Sequence, residues 1–215
     1  MDRFETTPAN PFYEALSALD AEIAKCKDLV AAGPLKMLSA GGFVALVLFH
    51  NRLSTPDIDY ILDPSVPQGK KHRGALQKAI DSVAKSQDIW DLWINSNMEI
   101  LVWGDDKQRL FDDSVAQGVV LWQGDNLIIY AAKWEWSLAR KLNRVACEDR
   151  EVDVDDAVEI LARMVQDNGG PLSWDTVKSW DTIIYSQLED CAIKCVAEAY
   201  RERYGSVGIK GKSPE

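Results

Sequence analysis

Residues 39–64 read SAGGFVALVLFHNRLSTPDIDYILDP, and the fold is decided by how the chain changes character across them. A short apolar run, Leu35–Leu38, suits a first strand, and the glycine pair Gly41-Gly42 then turns the chain into an apolar helix over Phe43–His50. Asn51, Arg52, Ser54 and Thr55 make a polar corner, and Ile58–Leu62 reads as a second strand. Alternate residues of a strand share a face, with Cα atoms about 6.5 Å apart. Asp57 and Asp59 therefore project side by side, an arrangement that favours a cation between the two carboxylates. Mg²⁺ is the simplest candidate, because it takes one or two carboxylates and completes its shell with water and phosphate.

A glycine pair, a helix and then Asp-x-Asp on a strand resemble the nucleotidyltransferase fold of the DNA polymerase β superfamily. With Arg52, Ser54 and Thr55 just before the aspartates, the stretch is most similar to the minimal and abortive-infection toxin-type nucleotidyltransferases. The similarity covers roughly residues 20–165, and position 42 is glycine where many members carry a serine that touches phosphate. The resemblance implies an α/β (α+β) fold, a mixed β-sheet core flanked by helices, with a helical C-terminal region. It implies one or two Mg²⁺ ions on Asp57, Asp59 and a third carboxylate on the neighbouring strand. Glu99 is the candidate for that third position and Asp105 the alternative. It further implies that Gly41, Gly42, Arg52, Ser54, Thr55 and Lys141 meet the phosphates of an NTP.

Composition narrows the classes. The chain has 215 residues, 47% of them hydrophobic, enough for one sizeable core or a core with a smaller helical partner. Its net charge of −10 opposes general coating of nucleic acid, which depends on Lys and Arg against phosphate. Four cysteines (Cys26, Cys147, Cys191, Cys195) and two histidines (His50, His72) contain neither C-x-x-C nor a Cys/His cluster, which argues against zinc. Cys191 and Cys195 stand one helical turn apart, and reduced thiols fit a reducing compartment. The N-terminal MDRFETTPANP lacks the apolar core of a secretory signal, and no run approaches the ~20 apolar residues that span a bilayer. A cytoplasmic protein with no membrane partner is expected.

Along the chain, residues 1–10 suit a flexible tail, 11–132 the nucleotidyltransferase-like core, 133–204 a helical region and 205–215 a disordered tail. Apolar residues recur every three or four positions from Phe12 to Val30, marking an amphipathic helix over Pro11–Ala32. The stretch SVPQGKKHRG, carrying Lys70, Lys71, His72 and Arg73, suits a basic loop before a helix over Gly74–Ser86. Trp90 and Trp93 lie at helical spacing, which places tryptophans in a core more often than on a base-stacking platform. Met98–Trp103 (MEILVW) reads as a further main strand with Glu99, Leu101 and Trp103 on one face. Short strands are expected at Val119–Trp122 and Leu127–Tyr130, and helices over Lys133–Arg144, Ala157–Gln166 and Ser173–Tyr204. Asp155 is placed to cap the Ala157 helix and Asp156 to suit its dipole.

Two functions stay open. One is a Mg²⁺-dependent nucleotidyltransferase moving a nucleoside monophosphate from an NTP to an acceptor hydroxyl on an RNA end, a protein or a small molecule. The other is a repurposed nucleotidyltransferase fold that binds a ligand or supports a different group transfer. No P-loop, G-x-S-x-G or H-E-x-x-H motif offers a competing chemistry.

Overall fold

The computed structural model describes residues 11–31, 33–66, 70–148 and 151–211; the expected N-terminal tail, residues 1–10, lies outside them. The elements follow in chain order as α1 (Pro11–Lys25), α2 (Lys27–Ala31), β1 (Leu35–Ser39), α3 (Gly42–Val44), a π-helical turn (Ala45–Phe49) and β2 (Ile58–Leu62). Then come α4 (Lys70–Gln87), β3 (Ile94–Asn95), a 3₁₀ turn (Asn97–Leu101), α5 (Gly104–Gln117), β4 (Val120–Gln123) and β5 (Leu127–Ala131). The last third holds α6 (Trp134–Glu148), α7 (Glu151–Asn168), β6 (Leu172–Ser173), α8 (Trp174–Ser179), α9 (Asp181–Ile184), α10 (Asp190–Tyr204) and β7 (Ile209–Lys210). The fold is α+β, a mixed sheet with helices.

The chain forms two compact units, Met1–Ser39 with Pro56–Ala131, and Ala40–Thr55 with Ala132–Glu215. The first contains a five-stranded sheet in the order β3-β2-β1-β5-β4. Strand β1 runs antiparallel to β2 and parallel to β5, β2 runs parallel to β3, and β4 is antiparallel to β5. The central strands are apolar on both faces: Leu35, Met37, Leu38, Ile58, Ile61, Leu127 and Ile129 are all at most 1% exposed. Helix α1 packs on α4 and buries Leu16, Leu19 and Ile23, each worth about 1.5–3 kcal/mol of transfer from water.

The second unit is helical. Helices α6, α7 and α10 pack on one another around Leu138, Leu142, Val158, Leu161, Ile193 and Val196, all fully or almost fully buried. The segment Ala40–Thr55, expected within the core region, belongs to this unit. Its helix starts at Gly42, widens to π geometry over Ala45–Phe49 and stops at His50, whose φ of 54° is left-handed.

Several expected elements change form, each for a local reason. The region 98–103 is not a strand: Asn97 N donates to Asn95 Oδ1 (3.0 Å) and Glu99 N to Ser96 O (2.9 Å), winding the chain into the 3₁₀ turn. The strand beside β2 is the two-residue β3, and Trp90 and Trp93 precede it in a turn, Trp93 buried and Trp90 exposed. Helix α4 begins at Lys70, so Lys71, His72 and Arg73 sit in its first turn. Cations there oppose the helix dipole, and carboxylates from elsewhere in the unit compensate: Asp28 meets Lys71 at 3.0 Å and Glu99 meets Arg73 at 2.9 Å. Helix α5 adds to the expected elements, with Leu110, Phe111 and Ser114 buried and Gly118 closing it in the left-handed conformation.

Helix α7 starts at Glu151, four residues before Asp155, so Asp155 caps nothing and instead pairs with Arg203. The single helix expected over Ser173–Tyr204 is three: Trp180 separates α8 from α9, and Tyr185 turns left-handed (φ 53°) after α9. The expected disordered tail includes β7, which pairs in parallel with β6 and buries Ile209; residues 212–215 lie outside the described ones.

Candidate functional site

The carboxylate pair sits where β2 begins. Asp57 directly precedes the strand and Asp59 is its second residue, both half-buried and on one face by strand alternation. The buried Ile58, Tyr60, Ile61 and Leu62 hold the strand in the sheet, so its register cannot slip without turning these residues out to water. Ile58 N donates to Trp93 O (2.8 Å), and Ser39 Oγ donates to the Asp59 carbonyl (2.8 Å), fixing the backbone on both sides of the acidic residues.

The cross-strand partner of Asp59 on β3 is Asn95. Its Oδ1 accepts the Asn97 N–H, which turns its amide nitrogen towards Asp57: Nδ2 donates to Asp57 Oδ2 at 3.1 Å and to Leu92 O at 3.3 Å. Asn95 was invisible as a site residue in the sequence, because cross-strand register is not written in local spacing. The position beside Asp59, where a third carboxylate is implied by the family resemblance, holds an amide.

Glu99 lies on the 3₁₀ turn, which packs against β2. Its carboxylate is held by two cations, Arg73 Nη2 at 2.9 and 3.3 Å and Lys107 Nζ at 3.2 Å. Burial first, and then the charge of Glu99, push the Tyr60 phenol up to about 12, with Arg73 opposing. Asp105, the alternative third acid, is exposed in the first turn of α5, where a carboxylate suits the helix dipole. Among the described residues no group of three or more His, Cys, Asp or Glu side chains is arranged to hold a metal ion. Asp57 and Asp59 lie on one face by strand alternation, and two carboxylates suffice for Mg²⁺ whose shell is completed by water and phosphate.

The other expected site residues belong to the second unit. Gly41 takes a φ of 72°, and Gly42 opens α3. A Cβ on Gly42 would fall 2.2 Å from Thr55 Oγ1 and 3.0 Å from its Cβ, which explains glycine at this position. Ser54 is exposed and Thr55 half-buried.

Arg52 and Lys141 are brought together on Asp156, which the sequence had marked as a dipole partner, and Lys141 also meets Asp153. Arg52 grips Asp156 along one edge of its guanidinium, Nε to Oδ1 at 3.0 Å and Nη2 to Oδ2 at 2.5 Å. Lys141 Nζ donates to Asp153 Oδ1 (2.6 Å) and Asp156 Oδ2 (2.5 Å), Arg144 Nε lies 3.2 Å from Asp153 Oδ2, and Asn51 Nδ2 donates to Asp156. Asp153, Asp156 and Lys141 are at most 5% exposed. A neighbouring cavity of about 10 Å³, lined by Gly41, Phe49, Trp134, Ser137, Lys141 and Asp156, holds at most one water. These contacts tie Ala40–Thr55 to α6 and α7. The sequence did carry a signal for the buried acids: Asp153 and Asp156 fall on the same helical stripe as Ala157, Ile160, Leu161 and Met164.

The sequence matches no protein-family model, and no curated protein or solved structure shows significant similarity to it. Among the described residues no helix is long and apolar enough to cross a membrane.

Proposed function

We propose that the chain is a nucleotidyltransferase-like protein whose first unit holds a Mg²⁺–nucleotide at Asp57 and Asp59 and transfers a nucleoside monophosphate to an acceptor hydroxyl. The observation that carries this reading is the carboxylate pair itself: two acids on one face at the start of a buried strand, one of them oriented by a fixed amide. Two hard anionic donors fit Mg²⁺, whose shell water and phosphate oxygens would complete, and suit neither a thiophilic nor an imidazole-seeking metal. Bound there with a triphosphate, the ion supplies charge neutralisation and polarisation of the phosphorus under attack. The protein's part is positional. Asp57 and Asp59 offer the anionic donors, Asn95 sets the angle of the Asp57 carboxylate, and the Ser39 bond to the Asp59 carbonyl keeps the strand from shifting.

A second reading, nucleotide binding without transfer, is favoured by two specific features. Asn95 occupies the register position beside Asp59, and Glu99 is engaged by Arg73 and Lys107, so neither offers an acid ready to activate an acceptor. An α-phosphate-labelled NTP separates the two. Wild-type protein with Mg²⁺ is offered RNA, a protein mixture and small hydroxyl compounds, beside an Asp57→Ala/Asp59→Ala variant. Label on an acceptor that disappears in the double variant supports transfer. Binding of the same NTP with no label on any acceptor supports the binding reading, and label that survives in the double variant overturns both.

A further inference from the structure

Helix α10 carries Cys191 and Cys195 one turn apart on one face, both exposed. The face opens on a groove of about 340 Å³ whose walls are Val145 and Ala146 of α6 and Val154 of α7, with Glu151 at its edge. In a helix, side chains four apart have Cβ atoms about 5–6 Å from each other. A disulfide needs about 3.5–4.5 Å between Cβ atoms, so a straight α10 keeps these sulfurs as a dithiol that does not close on itself. Two soft donors presented to one apolar groove select a soft cation. Zinc requires four ligands in a structural site, and among the described residues no third His, Cys, Asp or Glu joins the pair in a metal-holding group. Monovalent copper is satisfied by two thiolates.

We propose that Cys191 and Cys195 form a two-thiolate Cu(I) site, independent of the nucleotide reading. On binding, each thiol gives its proton to solvent and forms one S–Cu bond: two thiols and Cu⁺ yield a bis-thiolate complex of charge −1 and two H⁺, with no change of oxidation state.

The test uses the full chain under anaerobic conditions, with Cu(I) supplied as its coloured bicinchoninate complex. Wild type should withdraw one Cu(I) per chain. Cys191→Ser and Cys195→Ser should each lose at least tenfold in affinity with unchanged circular dichroism and melting temperature. A Cys26→Ser/Cys147→Ser variant should withdraw copper as wild type does. Copper-edge X-ray absorption should find two sulfur neighbours. The proposal is overturned if wild type withdraws no copper, if both α10 variants match wild type, if the Cys26/Cys147 variant alone loses the ion, or if oxygen or nitrogen dominates the shell.

Discussion

Gly42 is held to glycine by a neighbour: any Cβ there would run into Thr55 at 2.2 Å. Gly42→Ala should destabilise the protein by about 1–3 kcal/mol, the usual cost of overpacking, read as a lower urea midpoint. Adding Thr55→Ala should recover part of that loss, and a fully additive pair would contradict the contact. Tyr60 supplies a pH dependence. Its folded pKa of about 12 lies above the ordinary 10.0, so the folded state keeps the proton that the unfolded state releases. The stability this contributes is whole below pH 10 and is lost as pH rises from 10 through 12, about 2–3 kcal/mol in all. Tyr60→Phe should flatten the alkaline unfolding profile in that window; an unchanged profile would place the titration elsewhere. At this scale the acidic pair was legible, because a period of two needs only Asp57-Ile58-Asp59. Asn95 was not, since its meaning comes from lying opposite Asp59 on a strand 36 residues further on.

Helices α6 and α7 are joined through a charged cluster that leaves two carboxylates almost wholly out of water. Such a cluster adds little net stability over apolar packing, yet removing one partner leaves a buried charge uncompensated. Lys141→Met should therefore cost about 3–5 kcal/mol in urea denaturation. A loss under about 1 kcal/mol would mean that Arg52 and Arg144 alone satisfy Asp153 and Asp156. The long amphipathic elements could be read directly: α1, α4, α6 and α7 show their buried stripes in the spacing of their apolar residues. The stretch MEILVW could not, because its apolar character fits a strand and a 3₁₀ turn equally, and the deciding contact is the Asn95 side chain on the Asn97 N–H. Lys141 likewise announced a cation but not its partners, which lie 12 and 15 residues away on the next helix.

The chain passes from one compact unit to the other at Ser39, returns at Pro56 and leaves again after Ala131. Residues 40–55 thus owe their fixed conformation to α6 and α7, through Asn51 and Arg52 on Asp156. A fragment ending at residue 132 should be cut by protease within 40–55 at concentrations that leave the full chain intact there; equal resistance would show that the segment holds its own structure. The function proposed for the first unit is the holding of a metal-bound nucleotide by Asp57 and Asp59. It is tested most directly by isothermal titration of the four NTPs into wild type and Asp57→Ala/Asp59→Ala, each with Mg²⁺ and with EDTA. The account predicts binding that needs Mg²⁺ and vanishes in the folded double variant. Failure of folded wild type to bind any NTP, or binding indifferent to both Mg²⁺ and the two aspartates, would contradict it.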